Sequence, residues 1–214
     1  GNLNYNGVSI SRNLTVSSTQ PTITFSSIPS KTYGDTNFFL SATSSAGLPL
    51  FYRSTSTSVA TVNFSNGLVT IRGTGTSVMS ASNSASTNYQ AATNSQMLTV
   101  NKALLMVTAS NVTRAYGQTN PSLPFSVTGF VYGETTNVLS SQPSTSTTAT
   151  TNSVPGSYPI TVSGGAAANY SLTNIPGTLT VTNASQTITF NSIPVKYLDE
   201  VSFTLNATPS SGLA

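Results

Sequence analysis

The sequence predicts an all-β protein, an extended tandem array of β-sandwich modules of about 82 residues each. Three observations support this prediction. Thr, Val, Ile, Phe and Tyr, which favour strands, are frequent, whereas the helix-favouring residues Glu, Lys, Arg and Gln are scarce. Apolar and polar residues alternate over short runs that turn residues separate. Finally, several phrases recur at a fixed spacing along the chain.

The composition argues against several classes of protein. The chain has seven Lys and Arg, four Asp and Glu and a formal net charge of +3, and its cations lie far apart in the sequence. Nucleic-acid-binding proteins concentrate positive charge on one face or in one run, so we predict no nucleic-acid partner. The chain lacks Cys for a disulfide scaffold. Its longest apolar run, residues 103–107, is too short to cross a bilayer, so we expect no direct membrane insertion in this segment.

One phrase occurs three times in the chain. An Asn-Tyr pair is followed, ten positions after the Asn, by Leu-Thr-Val at residues 4–16, 88–100 and 169–181. The first and third copies are 165 positions apart, and the same shift relates residues 186–213 to residues 21–48. A fixed period of this kind indicates an array of similar modules.

A shorter period divides the long one. "YGDTN" at residues 33–37 recurs as "YGQTN" 83 positions later, and the second Asn-Tyr pair recurs after 81 positions. The Asn-Tyr phrase therefore marks the end of a module, and two types of module alternate. The predicted divisions are the C-terminal part of an upstream module (1–19), two complete modules (20–101 and 102–183) and the N-terminal part of the next module (184–214). The chain is thus expected to be a window on a longer array.

Residues 20–101 alternate as half-buried strands do. About seven short strands, separated by Gly-containing turns within roughly 80 to 100 residues, predict a β-sandwich of immunoglobulin-like architecture. Residues 68–71 leave two registers open, in which either Leu68 and Thr70 or Val69 and Ile71 face the core. The predicted core residues are Ile23, Phe25, Phe38, Leu40, Tyr52, Val62, Leu98 and Val100.

The second complete module begins with "LLMVTA" and ends with "GTLTV". Its middle, residues 140–153, is a low-complexity polar stretch that fits either a long edge loop or a polar strand. The linkers near residues 17–20, 101–103 and 182–185 are short and not Gly-rich, and short linkers limit bending. We therefore expect the complete modules to stack end to end with a limited hinge.

Two stretches resemble known families. "SVATVNFSNGLVTIRGTGTSVMSAS", residues 58–82, resembles the bacterial immunoglobulin-like domains of the second group, with their S-V-A-T-V, G-x-V-T and G-x-G-T pattern. "LMVTASNVTRAYGQTNPSLPFSVTGFVYGET", residues 105–135, together with "NYSLTNIPGTLTV", resembles the MBG-type module. These resemblances imply repeat modules of a large, exported bacterial cell-surface adhesin, a class found in gliding and biofilm-forming bacteria. They imply no binding residues, because these families share none at fixed positions.

The residues that carry most catalytic and metal chemistry are absent or dispersed. Without His or Cys the chain cannot build a Ser-His-Asp or Cys-His arrangement. A glycosidase needs two facing carboxylates, but Asp35 and Glu134 belong to different modules, and Asp199 and Glu200 are adjacent in a turn. A Ca²⁺ site needs about six to eight oxygens, usually from several carboxylates. We therefore predict that the protein is not an enzyme and has no catalytic, cofactor-binding or metal-binding residues and no cofactor.

Tyr5, Tyr89 and Tyr170 are predicted to be structural caps. Each follows an Asn at the same distance before a last strand. A Tyr ring in such a place buries apolar area while its hydroxyl stays at a wet edge. The alternative is that these rings are platforms on which sugars stack.

Phe39 and Phe51 form a candidate contact patch. Alternation points both side chains away from the core. If their strands pair as a hairpin about Ser45, the two rings lie side by side. Such a pair is either a contact to a neighbouring module or another surface, or an ordinary pair of exposed residues.

The sequence therefore predicts a non-catalytic structural repeat, a rigid stalk or spacer of an exported bacterial surface adhesin or fibre that projects a distal adhesive region. The expected partners are neighbouring modules of the same chain, and the expected location is extracellular, on the bacterial cell surface. One alternative is a module that binds glycans or other surface proteins multivalently along the array. The other is a region of a laterally assembling filament or gliding adhesin, which unpaired edge strands would favour.

Overall fold

The computed structural model describes residues 9–14 and 16–211. Within these residues the regular structure is β-strand apart from a short 3-10 helix at Thr136–Val138, which confirms the all-β fold class. The strands are β1 (Ile23–Phe25), β2 (Lys31–Thr32), β3 (Phe38–Phe39), β4 (Ala42–Ser44), β5 (Phe51–Ser54), β6 (Ala60–Val62), β7 (Leu68–Ile71), β8 (Gly75–Asn83), β9 (Ala92–Asn101), β10 (Ala103–Ala109), β11 (Val112–Ala115), β12 (Phe125–Thr128), β13 (Leu139–Thr147), β14 (Gly156–Ala167), β15 (Tyr170–Ile175), β16 (Gly177–Thr182), β17 (Ile188–Phe190) and β18 (Ala207–Pro209).

The chain divides into two compact units. Unit 1 is Gly1–Ala103 together with two short later segments, Val131–Gly133 and Ala168–Tyr170. Unit 2 is made of the remaining three segments: Leu104–Phe130, Glu134–Ala167 and Ser171–Ala214. The module boundaries inferred from the repeats, at 101/102 and 183/184, stay predictions.

Unit 1 contains a four-stranded sheet in the order β2-β9-β8-β5, a three-stranded sheet in the order β3-β7-β6, and the pair β1-β4. β8 and β9 form the longest pairing, from Gly75 opposite Val100 to Asn83 opposite Ala92. β2 pairs with β9 in parallel, whereas the other pairs of named strands in the unit are antiparallel. An isolated parallel bridge joins Thr19 and Tyr89. The described part of this unit thus has nine strands rather than about seven, and β8 and β9 are long.

Two amide side chains of β9 hold β1 in place. Asn94 Nδ2 and Gln96 Nε2 donate to the carbonyls of Ile23 and Phe25 at 2.8 and 3.0 Å. These carbonyls lie on the side of β1 that faces away from β4, because in an antiparallel pair only alternate residues bond to the partner strand. Hydrogen bonds from two side chains of β9 therefore satisfy this edge of β1, in place of hydrogen bonds from the backbone of another strand.

The core of unit 1 follows the predicted alternation closely. Six of the eight predicted core residues are buried, and Val69 and Ile71, not Leu68 and Thr70, face inward. Phe38 and Val62 are only half-buried, so this part of the prediction is wrong. Both lie on terminal strands of the three-stranded sheet, where neighbours cover one side only. The predicted core residues that are buried are Ile23, Phe25, Leu40, Tyr52, Leu98 and Val100.

Unit 2 contains a four-stranded sheet in the order β11-β16-β14-β13 and a three-stranded sheet in the order β12-β10-β15. β11 pairs with β16 in parallel, as β2 does with β9 in unit 1. Its core cluster consists of Ala109, Ala149, Ile160 and Leu179.

The polar stretch at residues 140–153 is mainly an edge strand. Of the two predicted alternatives, a polar strand and a long edge loop, the strand is therefore the one that forms. β13 covers most of it and lies at the end of its sheet. Hydroxyl groups pair across β13 and β14: Ser144 Oγ with Ser163 Oγ at 3.2 Å, and Ser146 Oγ with Thr161 Oγ1 at 3.0 Å. Cross-strand hydroxyl pairs of this kind stabilise a sheet without apolar side chains.

The last two strands repeat the first pair of unit 1. β17 and β18 pair Ile188 with Pro209 and Phe190 with Ala207. These four residues stand 165 positions after Ile23, Ser44, Phe25 and Ala42, which pair in the same register. The sequence period therefore corresponds to a repeated structural element.

Candidate functional site

The predicted contact patch of Phe39 and Phe51 does not form as expected. Phe39 lies on β3, opposite Leu68, and is 65% exposed. Phe51 is half-buried on β5, opposite Ser82 in the other sheet. The expected hairpin about Ser45 is absent, because β4 pairs with β1 instead. The two rings therefore do not share a hairpin, and Phe39 is the more exposed of the two.

Phe51 instead stacks on Phe64, a residue that the sequence pattern did not single out. The ring centroids are 4.7 Å apart with an interplanar angle of 18°. The guanidinium of Arg53 lies 5.5 Å from the Phe64 centroid. An Asx turn fixes the loop of Phe64, because Asn63 Oδ1 accepts from the amides of the two residues that follow Phe64. The "NFSNG" turn signal could have indicated this ring, because Asn63 and Gly67 place it at a tight corner.

A second aromatic site surrounds the Tyr-Gly turn of unit 1. Tyr33 is 6% exposed, and its ring meets those of Tyr132 and Tyr170 edge-on, with centroids 5.2 and 5.5 Å away. Gly34 is in the left-handed region at φ 104°, and a Cβ built there would lie 2.7 Å from Val131 Cγ1. The turn is therefore enclosed by side chains from both later segments of unit 1. We call these five residues the tyrosine clasp.

Two hydrogen bonds join the segments that form the clasp. The Val131 amide donates to Tyr170 Oη at 3.1 Å, and Tyr132 Oη donates to the Asp35 carbonyl at 3.2 Å. Tyr132 has a φ of 55°, a left-handed conformation that costs a residue with a side chain about 1 kcal/mol or more. Strained residues persist where the surrounding structure fixes their conformation, and they often mark functional sites. The strain at Tyr132 therefore makes the clasp a candidate functional site.

Asn169 connects the clasp to the rest of unit 1. Its Oδ1 accepts from the Thr74 amide at 3.0 Å and from Thr74 Oγ1 at 3.2 Å. Its backbone carbonyl accepts from the Ala103 amide at 3.0 Å. The Asn of the repeated phrase therefore binds a residue near the start of a long strand, β10.

The earlier copy of the phrase makes an equivalent backbone contact. The Thr19 amide donates to the Asn88 carbonyl at 3.0 Å, and the Gln90 amide donates to the Thr19 carbonyl at 2.9 Å. The side chains differ, because Tyr170 is 2% exposed and Tyr89 is only half-buried. Tyr5 lies outside the described residues. A capping role for the three tyrosines stays a prediction, which these contacts favour.

Arg114 is a buried cation that binds neutral oxygen atoms. Its Nε donates to Asn120 Oδ1 at 2.7 Å, and its two terminal nitrogens donate to the carbonyls of Ala115 and Thr150. Asn120 Nδ2 in turn donates to the Ala149 carbonyl at 2.7 Å. The network ties β11 to the loop after β13. Sequence reasoning treated Arg114 only as one of seven dispersed cations, although its neighbour in the network, Asn120, is the last residue of the "YGQTN" motif.

Arg114→Met is expected to lower the free energy of unfolding of unit 2 by about 1 to 3 kcal/mol, because it removes the three hydrogen bonds that the buried guanidinium donates. Lys31→Met is the matched control, since Lys31 stands 83 positions earlier and its ammonium lies 4.8 Å from the Phe38 ring at the surface. Urea unfolding of the full chain, followed by amide exchange in β11, measures the difference. An equal and small effect of both substitutions would show that the Arg114 network does not stabilise unit 2.

Two of the carboxylates among the described residues make local contacts. Asp35 Oδ2 accepts from the Thr32 amide at 2.9 Å within its turn, and Glu200 pairs with Lys196 at 3.0 Å. In residues 9–14 and 16–211, no three His, Cys, Asp or Glu side chains come together in a way that could hold a metal. The same residues contain no helix long and apolar enough to span a membrane.

Two segments of the chain match the models of known families. Residues 105–180 match the family model of the MBG domain (YGX type), and residues 40–85 match that of the intimin immunoglobulin-like domain. Both are modules of bacterial surface adhesins, and the families are structural domains rather than enzymes. The resemblance to the MBG-type module is confirmed, and residues 58–82, which resemble the second bacterial immunoglobulin-like group, lie within the segment that matches the intimin immunoglobulin-like domain. No curated protein matches the chain.

Several solved structures are similar at low sequence identity. Human protocadherin-24 EC1-2 has a TM-score of 0.32 and 10% identity, covering 76% of this chain and 98% of its own. Drosophila N-cadherin EC1-3 has a TM-score of 0.26 and 12% identity, covering 76% of this chain and 68% of its own. The S-layer protein SbsC has a TM-score of 0.29 and 13% identity over 92% of this chain, which spans 38% of that structure.

Proposed function

We propose that this chain is a stalk segment, a non-catalytic spacer of an exported bacterial surface adhesin that holds a distal adhesive region away from the cell. The observation that carries the proposal is the succession of two different adhesin-type modules in one chain, at residues 40–85 and 105–180. The repeated register of β1-β4 in β17-β18 supports an array of such modules. Neighbouring modules of the same chain are then the principal partners.

A spacer must resist bending at its joints, and the linker supports this requirement. β9 ends at Asn101 and β10 begins at Ala103, so only Lys102 lies outside a strand there. A linker this short leaves few rotatable bonds for a hinge. The low charge of the chain fits a long fibre as well, since few charges give little repulsion between successive modules.

Small-angle X-ray scattering of the full chain tests the spacer. We expect an elongated particle with one well-defined maximum dimension. The matched control carries a Gly-Ser-Gly-Ser insertion after Lys102, which should broaden the distribution of distances by adding a flexible hinge. A compact, side-by-side arrangement in the parent chain, or a parent as flexible as the insertion variant, would contradict the proposal.

A second function, multivalent binding of surface glycans, is favoured by one specific observation. The stacked Phe51 and Phe64 rings lie beside Arg53 and are partly exposed, and aromatic faces of this kind suit the apolar faces of sugars. Weak sites of this type would act together along an array.

Glycan-array binding of the full chain, compared with Phe64→Ala, tests this second function. Phe39→Ala is the control, since Phe39 is an exposed ring on β3 that, among the described residues, belongs to no stacked pair. Binding lost only in Phe64→Ala supports the glycan site. Absence of binding in the parent, or equal loss in both variants, contradicts it.

A further inference from the structure

The Tyr-Gly turn of unit 1 has a counterpart in unit 2. Tyr116-Gly117 stands 83 positions after Tyr33-Gly34. The backbone places both turns alike, because the amides of Tyr33 and Tyr116 donate to the carbonyls of Asn101 and Thr182 at 2.9 and 2.8 Å. Gly34 and Gly117 both lie in the left-handed region, at φ 104° and 80°. The two turns therefore present the same surface, a tyrosine ring beside a glycine without a side chain.

The two turns differ in what covers them. Tyr33 is 6% exposed inside the tyrosine clasp, whereas Tyr116 is 44% exposed. A Cβ at Gly34 would meet Val131, whereas a Cβ at Gly117 would meet no atom within 4 Å. The second turn thus has the backbone of the first but is open to solvent.

The covering group in unit 1 identifies the chemistry that the open turn would accept. Tyr170 supplies an edge-on ring and an acceptor hydroxyl, and Asn169 anchors it through its backbone carbonyl and side chain. Asn88-Tyr89 has the same residues and the same type of backbone anchor, but its ring is only half-buried. The edge of an aromatic ring placed on the face of another ring is stabilised beyond the area that it buries, so each half gains from a partner.

We propose that Tyr116-Gly117 is a docking site for the Asn-Tyr segment of a further module of this repeat, so that the tyrosine clasp recurs along the array. The occupant is a tyrosine ring carried by an Asn-Tyr phrase, as Asn169-Tyr170 is in unit 1. The inference rests on the proposed stalk, because it requires a further module in register. The Tyr-Gly motif and the Asn-Tyr phrase then have complementary roles, because each supplies one side of the same contact.

A tandem chain provides the test. Residues 1–183 are joined to a second copy of residues 19–183, which keeps the 165-residue register because Ala184 stands 165 positions after Thr19. Tyr116→Phe in the second copy leaves the first copy's Tyr116 as the sole tyrosine at that position. Nitration by tetranitromethane, read by mass spectrometry, reports the exposure of each ring. In the parent chain we expect Tyr116 to react and Tyr33 to be protected.

In the tandem chain the nitration of Tyr116 is expected to fall to the level of Tyr33. If Tyr116 stays as reactive as in the parent while Tyr33 is protected in both copies, the second copy is folded and the docking inference is wrong, although the array can still stand. If half of the Tyr33 becomes reactive, the second copy has not folded in this register, and the proposed array fails together with the inference. The Tyr89→Ala variant of the second copy should restore the nitration of Tyr116, and unchanged protection in that variant would also overturn the inference.

The two glycines give an independent readout. Gly34→Ala and Gly117→Ala pay a similar cost for the left-handed backbone, but only Gly34→Ala also meets a covering side chain. In the parent chain, Gly34→Ala should therefore lower the melting temperature of its unit more than Gly117→Ala does. In the tandem chain, Gly117→Ala of the first copy should become as damaging as Gly34→Ala. An identical effect of Gly117→Ala in both chains would contradict docking at this turn.

Discussion

Phe25→Ala is expected to lower the free energy of unfolding of unit 1 by about 3 to 5 kcal/mol, the usual cost of deleting a large core ring. Phe25 is buried on β1, and its carbonyl accepts from Gln96 at 3.0 Å. The lost ring leaves a cavity beneath β1, the strand that Asn94 and Gln96 bind through their side chains. Urea unfolding of the full chain, with amide exchange in β8 and β9, measures the loss.

Thr24→Ala is the control for this substitution. Thr24 lies between Ile23 and Phe25 on the same strand, but its side chain is exposed. A surface substitution of this kind changes stability by about 0.5 kcal/mol or less. If Phe25→Ala were no more damaging than Thr24→Ala, the assignment of the inward face of β1 would be wrong.

Tyr170→Ala is expected to cost unit 1 about 3 to 5 kcal/mol as well, because the ring is 2% exposed and fills the tyrosine clasp. The substitution removes the edge-on contact to Tyr33 and leaves the Val131 amide without its acceptor. Amide exchange should rise at the Tyr-Gly turn and in the segment Val131–Gly133. Mass spectrometry of the exchanged full chain measures both places separately.

Two variants calibrate that result. Tyr170→Phe keeps the ring and loses one hydrogen bond, so it should cost only about 1 kcal/mol. Tyr89→Ala removes the equivalent but half-buried ring and should cost clearly less than Tyr170→Ala. If Tyr170→Ala left the exchange of unit 1 unchanged and instead abolished glycan binding, the ring would be a ligand platform rather than a structural cap.

Alternation and turn chemistry were enough to predict the fold class and most of the core. Ile23, Phe25, Leu98 and Val100 sit where a period of two places them. The same rule missed Phe38 and Val62, because burial at the terminal strand of a sheet depends on which elements cover it, and this is not a local property. The choice between Leu68 and Val69 was open for a related reason, since a run of apolar residues fits either register.

The candidate site was less predictable than the fold. Repetition of the Asn-Tyr phrase indicated that its tyrosine mattered, but its partner Tyr33 is far away in sequence, and no period links the two. The predicted hairpin of the Phe39 and Phe51 strands does not form, because β4, which lies between them in the sequence, pairs with β1. The sequence did not predict a role for Arg114, because an isolated cation is usually exposed to solvent. The fold brings the carbonyls of Ala115 and Thr150 within hydrogen-bonding distance of its guanidinium.

A pulling force on the chain ends would act on the parallel strand pairs as a shearing force. Each unit contains one such pair, which joins an early strand to a later one: β2 to β9 in unit 1 and β11 to β16 in unit 2. When the ends are drawn apart, the two strands of such a pair slide along each other, so their bonds resist together instead of opening one by one. Four residues of β11 are in register with β16, but only two of β2 with β9. Unit 1 should therefore yield at a lower force than unit 2, and an array that alternates them would lengthen in two stages under load.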